Sequence, residues 1–206
     1  GEFWVENPFL LPAQGENLSA YERNCLFLNT TGKGTPRFLD ASFAAGADID
    51  SDSRSAIAAD FDSDGDLDLL IGSVGGGPLR LFLNQLTQGQ RITVRFVGAT
   101  SNRQGIGCRV TIRCGQRRLV RDNFPANGFM GAGFSELLIG LGTAPKIDEL
   151  NVRWPTGTRQ VFRDLAVNRR YTITETRDQI DVAPLQARLS VPAANQPVPT
   201  YIFSYP

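Results

Sequence analysis

Apolar residues fall in short runs along the chain, separated by clusters of Gly, Pro, Asn, Asp and Ser. The segment Arg91–Phe96 has the sequence RITVRF, in which apolar and polar positions alternate with the period of two that is typical of a strand. This pattern predicts an all-β chain of short strands joined by turns. The predicted strands cover residues 25–29, 37–39, 55–61, 67–72, 79–84, 91–96, 108–113, 118–122, 135–141, 149–154, 160–162 and 170–175.

The same pattern divides the chain into four segments. Residues 1–23 mix aromatics with Pro, Gly and Asn, which predicts an irregular N-terminal arm. Residues 24–88 contain the related pieces CLFLN and LFLN, a recurrence that indicates a partial propeller-type blade. Residues 89–176 hold about seven closely spaced strands, which predict a small β-sandwich or barrel. Residues 177–206 are interrupted by prolines, which favour an extended C-terminal arm.

The most specific chemistry lies in the run DFDSDGDLD, where five aspartates stand at every second position. Carboxylates at this density repel one another unless a cation lies among them. Oxygen ligands at places 1, 3, 5 and 9, a backbone carbonyl at place 7 and a glycine at place 6 are typical of a calcium loop. We therefore predict Ca²⁺ as the cofactor, bound by side chains and by one carbonyl; the ligands are Asp60, Asp62, Asp64, Asp66 and Asp68.

The loop differs from an EF-hand. Place 12 is Ile71 rather than a bidentate Glu, and an apolar segment follows instead of a helix. We therefore expect a calcium loop between two strands. The alternative is a solvated acidic turn, but such turns seldom need so many carboxylates.

The amino-acid composition excludes several classes of function. Hydrophobic residues make up 41% and charged residues 20%, which is typical of a globular chain, and no apolar run is long enough for a membrane span. Histidine is absent, which excludes Ser-His-Asp and Cys-His catalysis and His-ligated zinc. The chain does not begin with Met, so we expect it to be processed or cut from a longer protein.

Charge is distributed unevenly although its sum is zero. Residues 1–86 carry 5 basic and 13 acidic side chains, or −8, whereas residues 87–206 carry 16 and 8, or +8. Overall neutrality argues against nucleic acid as the main partner. Either calcium and the basic half offset the acidic half, or the basic half meets an acidic partner. The pairs Arg117-Arg118 and Arg169-Arg170 are typical of solvated strand edges, with an acidic glycan as the alternative ligand.

Other candidate sites are weaker. The three cysteines, Cys25, Cys108 and Cys114, have no metal-binding spacing, and we expect buried thiols, with a disulfide as the alternative. The glycine clusters at 75–77 and 105–107 lack the context of a phosphate loop and predict turns. Asp148 and Glu149 are adjacent in a strand and point to opposite faces, so they do not form a glycosidase pair.

Two resemblances bear on function. The pattern LFLN…GKGTPRF…AADFDSDGDLDLLIG…GGGPLRLFLN in residues 24–86 resembles an FG-GAP or VCBS-type repeat, which implies a calcium-bearing propeller blade. The pieces SNRQGIGCRV, GLG, IDELNVRWPTG and YTITE resemble the ASPIC/UnbV domain, which follows such repeats in the cartilage acidic protein family. A complete propeller needs about four blades or more, so one repeat implies packing on the second half or on another chain.

These observations lead to one preferred function. We expect a non-enzymatic, calcium-binding structural or binding module, because the family implies secreted, extracellular or periplasmic and envelope proteins and supplies no catalytic residues. Its expected partners are other protein chains, through self-assembly or a larger complex, with an acidic glycan as a further candidate. The alternative is a carbohydrate-active enzyme, or an accessory subunit of one, that acts on an extracellular polymer.

Overall fold

A computed structural model describes residues 23–30, 35–50, 53–73, 79–85, 89–126, 128 and 131–186. These residues form strands and no helix, so the predicted all-β class is confirmed. Most of the N-terminal arm, the 75–77 turn and the C-terminal arm beyond 186 lie outside the described residues. The strands are β1 Phe27–Asn29, β2 Phe38–Asp40, β3 Ser53–Ala59, β4 Asp68–Ser73, β5 Arg80–Phe82, β6 Gln90–Val97, β7 Arg109–Cys114, β8 Arg117–Asp122, β9 Glu136–Gly142, β10 Lys146–Arg153, β11 Arg159–Ala166, β12 Arg169–Thr174 and β13 Ile180–Pro184.

The described residues fall into two compact units, one formed by 23–56 with 70–82 and the other by 57–69 with 83–186. In the first unit, β1 and β2 pair antiparallel, with Leu28 opposite Leu39. Strands β3, β4 and β5 form a three-stranded sheet in that order. Over the described ranges the strands close neither a barrel nor a propeller. No helix among these residues is long and apolar enough to cross a membrane.

The second unit contains two four-stranded sheets, with the orders β11-β10-β7-β8 and β13-β12-β6-β9. Neighbouring strands are antiparallel except β6 and β12, which run parallel with Tyr171 opposite Val94. Side chains from both sheets enter a single hydrophobic core. Because side chains alternate between the two faces of a strand, every second residue of β6, β7 and β12 is buried there. The alternation is interrupted once in β10, where the buried residues are Ile147, Leu150 and Val152.

Trp154 and Phe96 form an aromatic contact in this core, with their ring centroids 5.7 Å apart in an edge-to-face arrangement. The indole N–H of Trp154 donates to the side-chain oxygen of Gln160, so the buried polar atom is satisfied. Trp154 is only 1% exposed. Trp154 is therefore a core aromatic rather than a surface on which a sugar could stack.

Strand β13 was not predicted, because it lies in the segment whose prolines favoured an extended arm. Ile180–Pro184 pairs antiparallel with β12, with Ile180 opposite Ile173. It occupies the edge of its sheet, where a proline at the strand end costs no ladder hydrogen bond on the paired side. The chain therefore remains attached to the second unit at least as far as Gln186, whose N–H donates to the backbone oxygen of Ser63.

Candidate metal centre

The acidic loop leaves β3 and enters β4, and it turns sharply at two residues with left-handed backbone conformation. Ser63 has φ of 65° and Gly65 has φ of 90°. A Cβ atom at Gly65 would lie 2.6 Å from Leu185 Cδ1 and 2.8 Å from Arg91 Nε. The glycine at place 6 is therefore favoured by conformation, and a larger residue would also have to displace the ends of these two side chains.

Three of the five predicted ligands converge. One carboxylate oxygen from each lies within 4.8 Å of the others, and these residues are Asp60, Asp62 and Asp68. The Asp60 side chain is 6% exposed, and Asp68 is 1% exposed. Three carboxylates this close and this poorly hydrated repel one another, whereas an all-oxygen donor set suits a hard divalent cation.

Asp68 shapes the loop as well as contributing charge. The N–H of Phe61 donates to its Oδ2 at 2.9 Å, and the N–H of Asn84 donates to its Oδ1 at 2.8 Å. The N–H of Gly65 donates to Asp60 Oδ2 at 3.0 Å. The other oxygen of Asp60, Oδ1, is buried without a hydrogen-bond partner. An orphaned carboxylate oxygen beside two further carboxylates fits a bound cation.

Asp64 and Asp66 lie in the same loop but outside the three-carboxylate group. Asp64 is buried, its Oδ1 accepts from the N–H of Asp66 at 2.8 Å, and its backbone oxygen accepts from Arg91 Nη2 at 2.7 Å. Asp66 Oδ1 lies 3.3 Å from Arg91 Nε. The assignment of the Asp64 side chain and the Asp66 carbonyl as ligands stays a prediction.

Burial changes the acidity of the cluster. Desolvation raises the pKa of Asp60 to about 6. The charges of Asp64 and Asp62 also raise it, whereas the hydrogen bond from Gly65 and the charge of Arg170 lower it. Desolvation also raises the pKa of Asp68, although the hydrogen bonds from Asn84 and Phe61 oppose it. The cluster therefore favours a positive occupant, which is a proton where no metal is bound.

Two arginines beside the loop were not predicted as part of the site. Arg91 from β6 contacts Asp64 and Asp66, and Arg170 from β12 places Nη2 3.9 Å from Asp60 Oδ2. Arg170 Nε also lies 3.1 Å from Glu136 Oε1, although the pair is not aligned as a hydrogen bond. The edge-charge interpretation of Arg170 is wrong, because β12 is an interior strand. No local pattern indicates these contacts, since they arise from the pairing of distant strands.

The remaining candidates have structural roles. Asp148 accepts a hydrogen bond from the N–H of Gly115, and Glu149 pairs with Arg163. The two carboxylates therefore have separate partners and do not act as an acid–base pair. All three cysteines are free thiols. Cys108 and Cys114 are buried as expected, whereas Cys25 is exposed, so the expectation of a buried thiol is wrong there.

The residues that resemble the ASPIC/UnbV motifs meet around Glu175. Its carboxylate accepts hydrogen bonds from three consecutive N–H groups at 2.6–3.0 Å, those of Ala99, Thr100 and Ser101, and from the hydroxyl of Thr156 at 2.9 Å. Burial alone would raise the pKa of Glu175, but these hydrogen bonds outweigh it and lower the pKa to about 2. One buried carboxylate thus connects three separate motif segments.

A second connection in the same region involves an amide side chain. Asn123 Nδ2 donates to the backbone oxygens of Gln104 and Gly105, at 2.9 Å each. Gly105 has φ of 61°, and a Cβ atom there would lie 2.4 Å from Phe96 Cβ. The motif glycine is therefore needed for close packing, which confirms a turn at 105–107.

Comparison with known proteins agrees with these motifs. Residues 98–180 match the family model described as ASPIC and UnbV. No curated protein matches the chain. The match spans β7 to β12 and includes the segments joined by Glu175. The predicted FG-GAP repeat and cartilage acidic protein family stay predictions. Residues 98–180 of the chain are thus similar to an ASPIC/UnbV domain.

Proposed function

We propose that this chain is a calcium-binding, non-enzymatic structural or binding module that acts outside the cytoplasm, either secreted or in the cell envelope. The observation that carries the proposal is the convergence of Asp60, Asp62 and Asp68, together with the buried, unpartnered Asp60 Oδ1. A divalent cation would remove the repulsion among these carboxylates and satisfy the orphaned oxygen. The oxygen-only ligand set favours Ca²⁺ over softer transition metals.

The acidic loop belongs to the same compact unit as the ASPIC/UnbV domain. It contacts Arg91 and Leu185 of that unit, and Asn84 donates to Asp68. Calcium would therefore stabilise the loop and its contacts with the two four-stranded sheets. We infer that the loop and β3 to β5 represent a partial propeller-type blade, and that the two sheets represent a small β-sandwich.

We also propose that the chain functions in an assembly with other protein chains. Its first unit exposes large apolar side chains, including Phe38 at 63% and Phe43 at 86%. Exposed aromatic side chains of this kind often contribute interface energy. Sedimentation of the chain and of a version ending at Gln186, which retains β13, tests this idea. Compact monomers at micromolar concentration in both cases would overturn it.

Among the described residues, no observation favours the enzymatic alternative. Asp60 and Glu136 line the same cavity, but its volume of about 30 Å³ accommodates about one water molecule rather than a sugar ring. Glycoside hydrolysis needs a cleft in which two carboxylates face the substrate. We therefore assign the raised pKa of Asp60 to the cation site rather than to acid catalysis.

Thermal unfolding with calcium, with EGTA and with magnesium tests the calcium proposal. At a hundredfold excess over Kd, one site adds about 2.7 kcal/mol, which raises Tm by roughly 5–10 °C in a chain of this size. Asp62→Asn should abolish this rise, whereas Asp178→Asn, an exposed control, should retain it. An equal Tm in calcium and in EGTA would overturn the proposal.

A further inference from the structure

The outer face of the sheet β11-β10-β7-β8 carries arginines in a row across neighbouring strands. Arg153 of β10 stands opposite Arg159 of β11 on one side and Arg109 of β7 on the other. Adjacent strands lie about 4.8 Å apart, so three guanidinium groups rise from one line across the sheet. The core lies on the opposite face, where Val110 and Val152 are buried.

These arginines line a shallow cavity of about 180 Å³. Asn151 and Thr111, which stand opposite each other in the next row, add an amide and a hydroxyl to it. No carboxylate lines the cavity. We call this surface the arginine face; it consists of Arg109, Thr111, Arg118, Asn151, Arg153 and Arg159.

Nearby carboxylates only partly offset this charge. Asp122 is bound by Arg109 through two hydrogen bonds of 2.6 and 2.8 Å. Within the part of the chain that the structure describes, no carboxylate makes an ion pair with the remaining arginines of the face, which are Arg118, Arg153 and Arg159. The charge of Arg153 also acts on Asp122 and lowers its pKa, so one carboxylate is set against four arginines. The remaining repulsion among the guanidinium groups costs free energy, and a polyanion would recover it.

We propose that the arginine face binds a linear anionic glycan, whose sulfate or carboxylate groups pair with the row of guanidinium groups. Planar guanidinium forks match sulfate and carboxylate oxygens, and Asn151 and Thr111 can exchange hydrogen bonds with sugar hydroxyls. The face carries no aromatic side chain on which a nucleic acid base would stack. Its side chains project from the face of the sheet rather than along a strand edge, which is where an added peptide strand would pair.

This inference goes beyond the calcium-binding module and does not depend on the loop. The experiment measures binding of a heparin oligosaccharide to the full chain by titration calorimetry, with calcium or EGTA, at two salt concentrations. A double variant Arg153→Gln with Arg159→Gln should weaken binding about tenfold or more and reduce its salt dependence, because two charge-assisted contacts are lost. Persistence of binding in EGTA would separate this site from the calcium site.

The matched control removes two exposed arginines elsewhere, as Arg103→Gln with Arg177→Gln, and should leave the affinity within about twofold. Asp122→Asn should tighten binding, because it releases Arg109 from its ion pair. Because tighter binding cannot result from partial unfolding, this variant tests the proposal even if the double variant is unstable. Equal loss in both double variants, or no binding by the native chain, would overturn the proposal.

Binding of different polyanions distinguishes the class of ligand. Hyaluronan, which carries carboxylates alone, separates a general uronate site from one that needs sulfate, and binding to either supports an anionic glycan. Poly-glutamate and single-stranded DNA of the same total charge represent the two other classes. Tighter binding of either polymer than of the glycans would show that the arginine face serves a different partner and would overturn the proposal.

Discussion

Glu175 holds Ser101 with both of its carboxylate oxygens: the backbone N–H of Ser101 donates to Oε2 at 2.6 Å, and its hydroxyl donates to Oε1 at 2.8 Å. The two residues are 74 positions apart. Glu175 is 1% exposed, so its charge is stabilised by these and the neighbouring hydrogen bonds rather than by water. These hydrogen bonds connect the residue that follows β12 to the loop that follows β6.

Glu175→Gln should destabilise the domain by roughly 2–4 kcal/mol, because it removes the charge that several N–H donors require. Urea unfolding measures this change. Glu149→Gln is the matched control, since Glu149 pairs with Arg163 near the surface and should cost less than about 1 kcal/mol. Equal losses in the two variants would contradict a special role for Glu175.

The stability contributed by Glu175 should depend on pH in the acidic range. Its folded pKa of about 2 lies below the ordinary value of 4.5, so the folded state binds a proton less readily than the unfolded state. The contribution, about 3 kcal/mol, is complete above pH 4.5 and is lost as pH falls through 2. Urea midpoints of the native chain and of Glu175→Gln should therefore converge over this range. Parallel curves would count against the assignment.

The proposed calcium site should respond to pH with the opposite sign. Because the folded pKa of Asp60 is raised to about 6, the calcium-free folded state binds a proton more tightly than the unfolded state. In EGTA, stability should therefore rise as pH falls from 7 through 6, while apparent calcium affinity should fall. Melting curves at pH 7.5 and 5 test both effects. In Asp60→Asn, the rise in EGTA should disappear.

The two loop aspartates should differ in their effect without calcium. Asp68→Ala should destabilise the calcium-free chain by about 1–3 kcal/mol, because the N–H groups of Phe61 and Asn84 lose their acceptor. Asp62→Ala should be close to neutral in EGTA, since it also removes a repulsive charge. Both should abolish the stabilisation by calcium. A large loss for Asp62→Ala in EGTA would show that its hydrogen bond from Asp64 matters more than the repulsion.

Two glycines with similar backbone angles should tolerate substitution differently. Gly105 and Gly115 have φ of 61° and 57°, but a Cβ atom at Gly105 would collide with Phe96, whereas Gly115 has open space around it. Gly115→Ala should cost about 1 kcal/mol through conformation alone. Gly105→Ala should cost roughly 3 kcal/mol or more, because the tightly packed core must move. Similar unfolding midpoints in the two variants would contradict the packing argument.

The sequence by itself determined most of the strands and the acidic composition of the loop. Alternation of apolar and polar positions located most of the strands, because one face of each sheet must be buried. The spacing of the aspartates predicted a cation loop, because the expected ligands and the turn glycine lie within nine consecutive residues, and the structure brings the carboxylates of Asp60, Asp62 and Asp68 together. The ASPIC/UnbV motifs were likewise apparent in the sequence.

Only the tertiary structure decided which distant residues meet. Arg91 and Arg170 reach the acidic loop from β6 and β12, and Glu175 reaches the loop at Ser101, through contacts that no local spacing encodes. The arginine row also depends on strand order, since Arg109, Arg153 and Arg159 lie on three different strands. Strand β13 escaped prediction because its pairing with β12 overrode the signal of its proline. Side-chain periodicity is local in sequence, whereas strand pairing and burial are set by the packing of the whole domain.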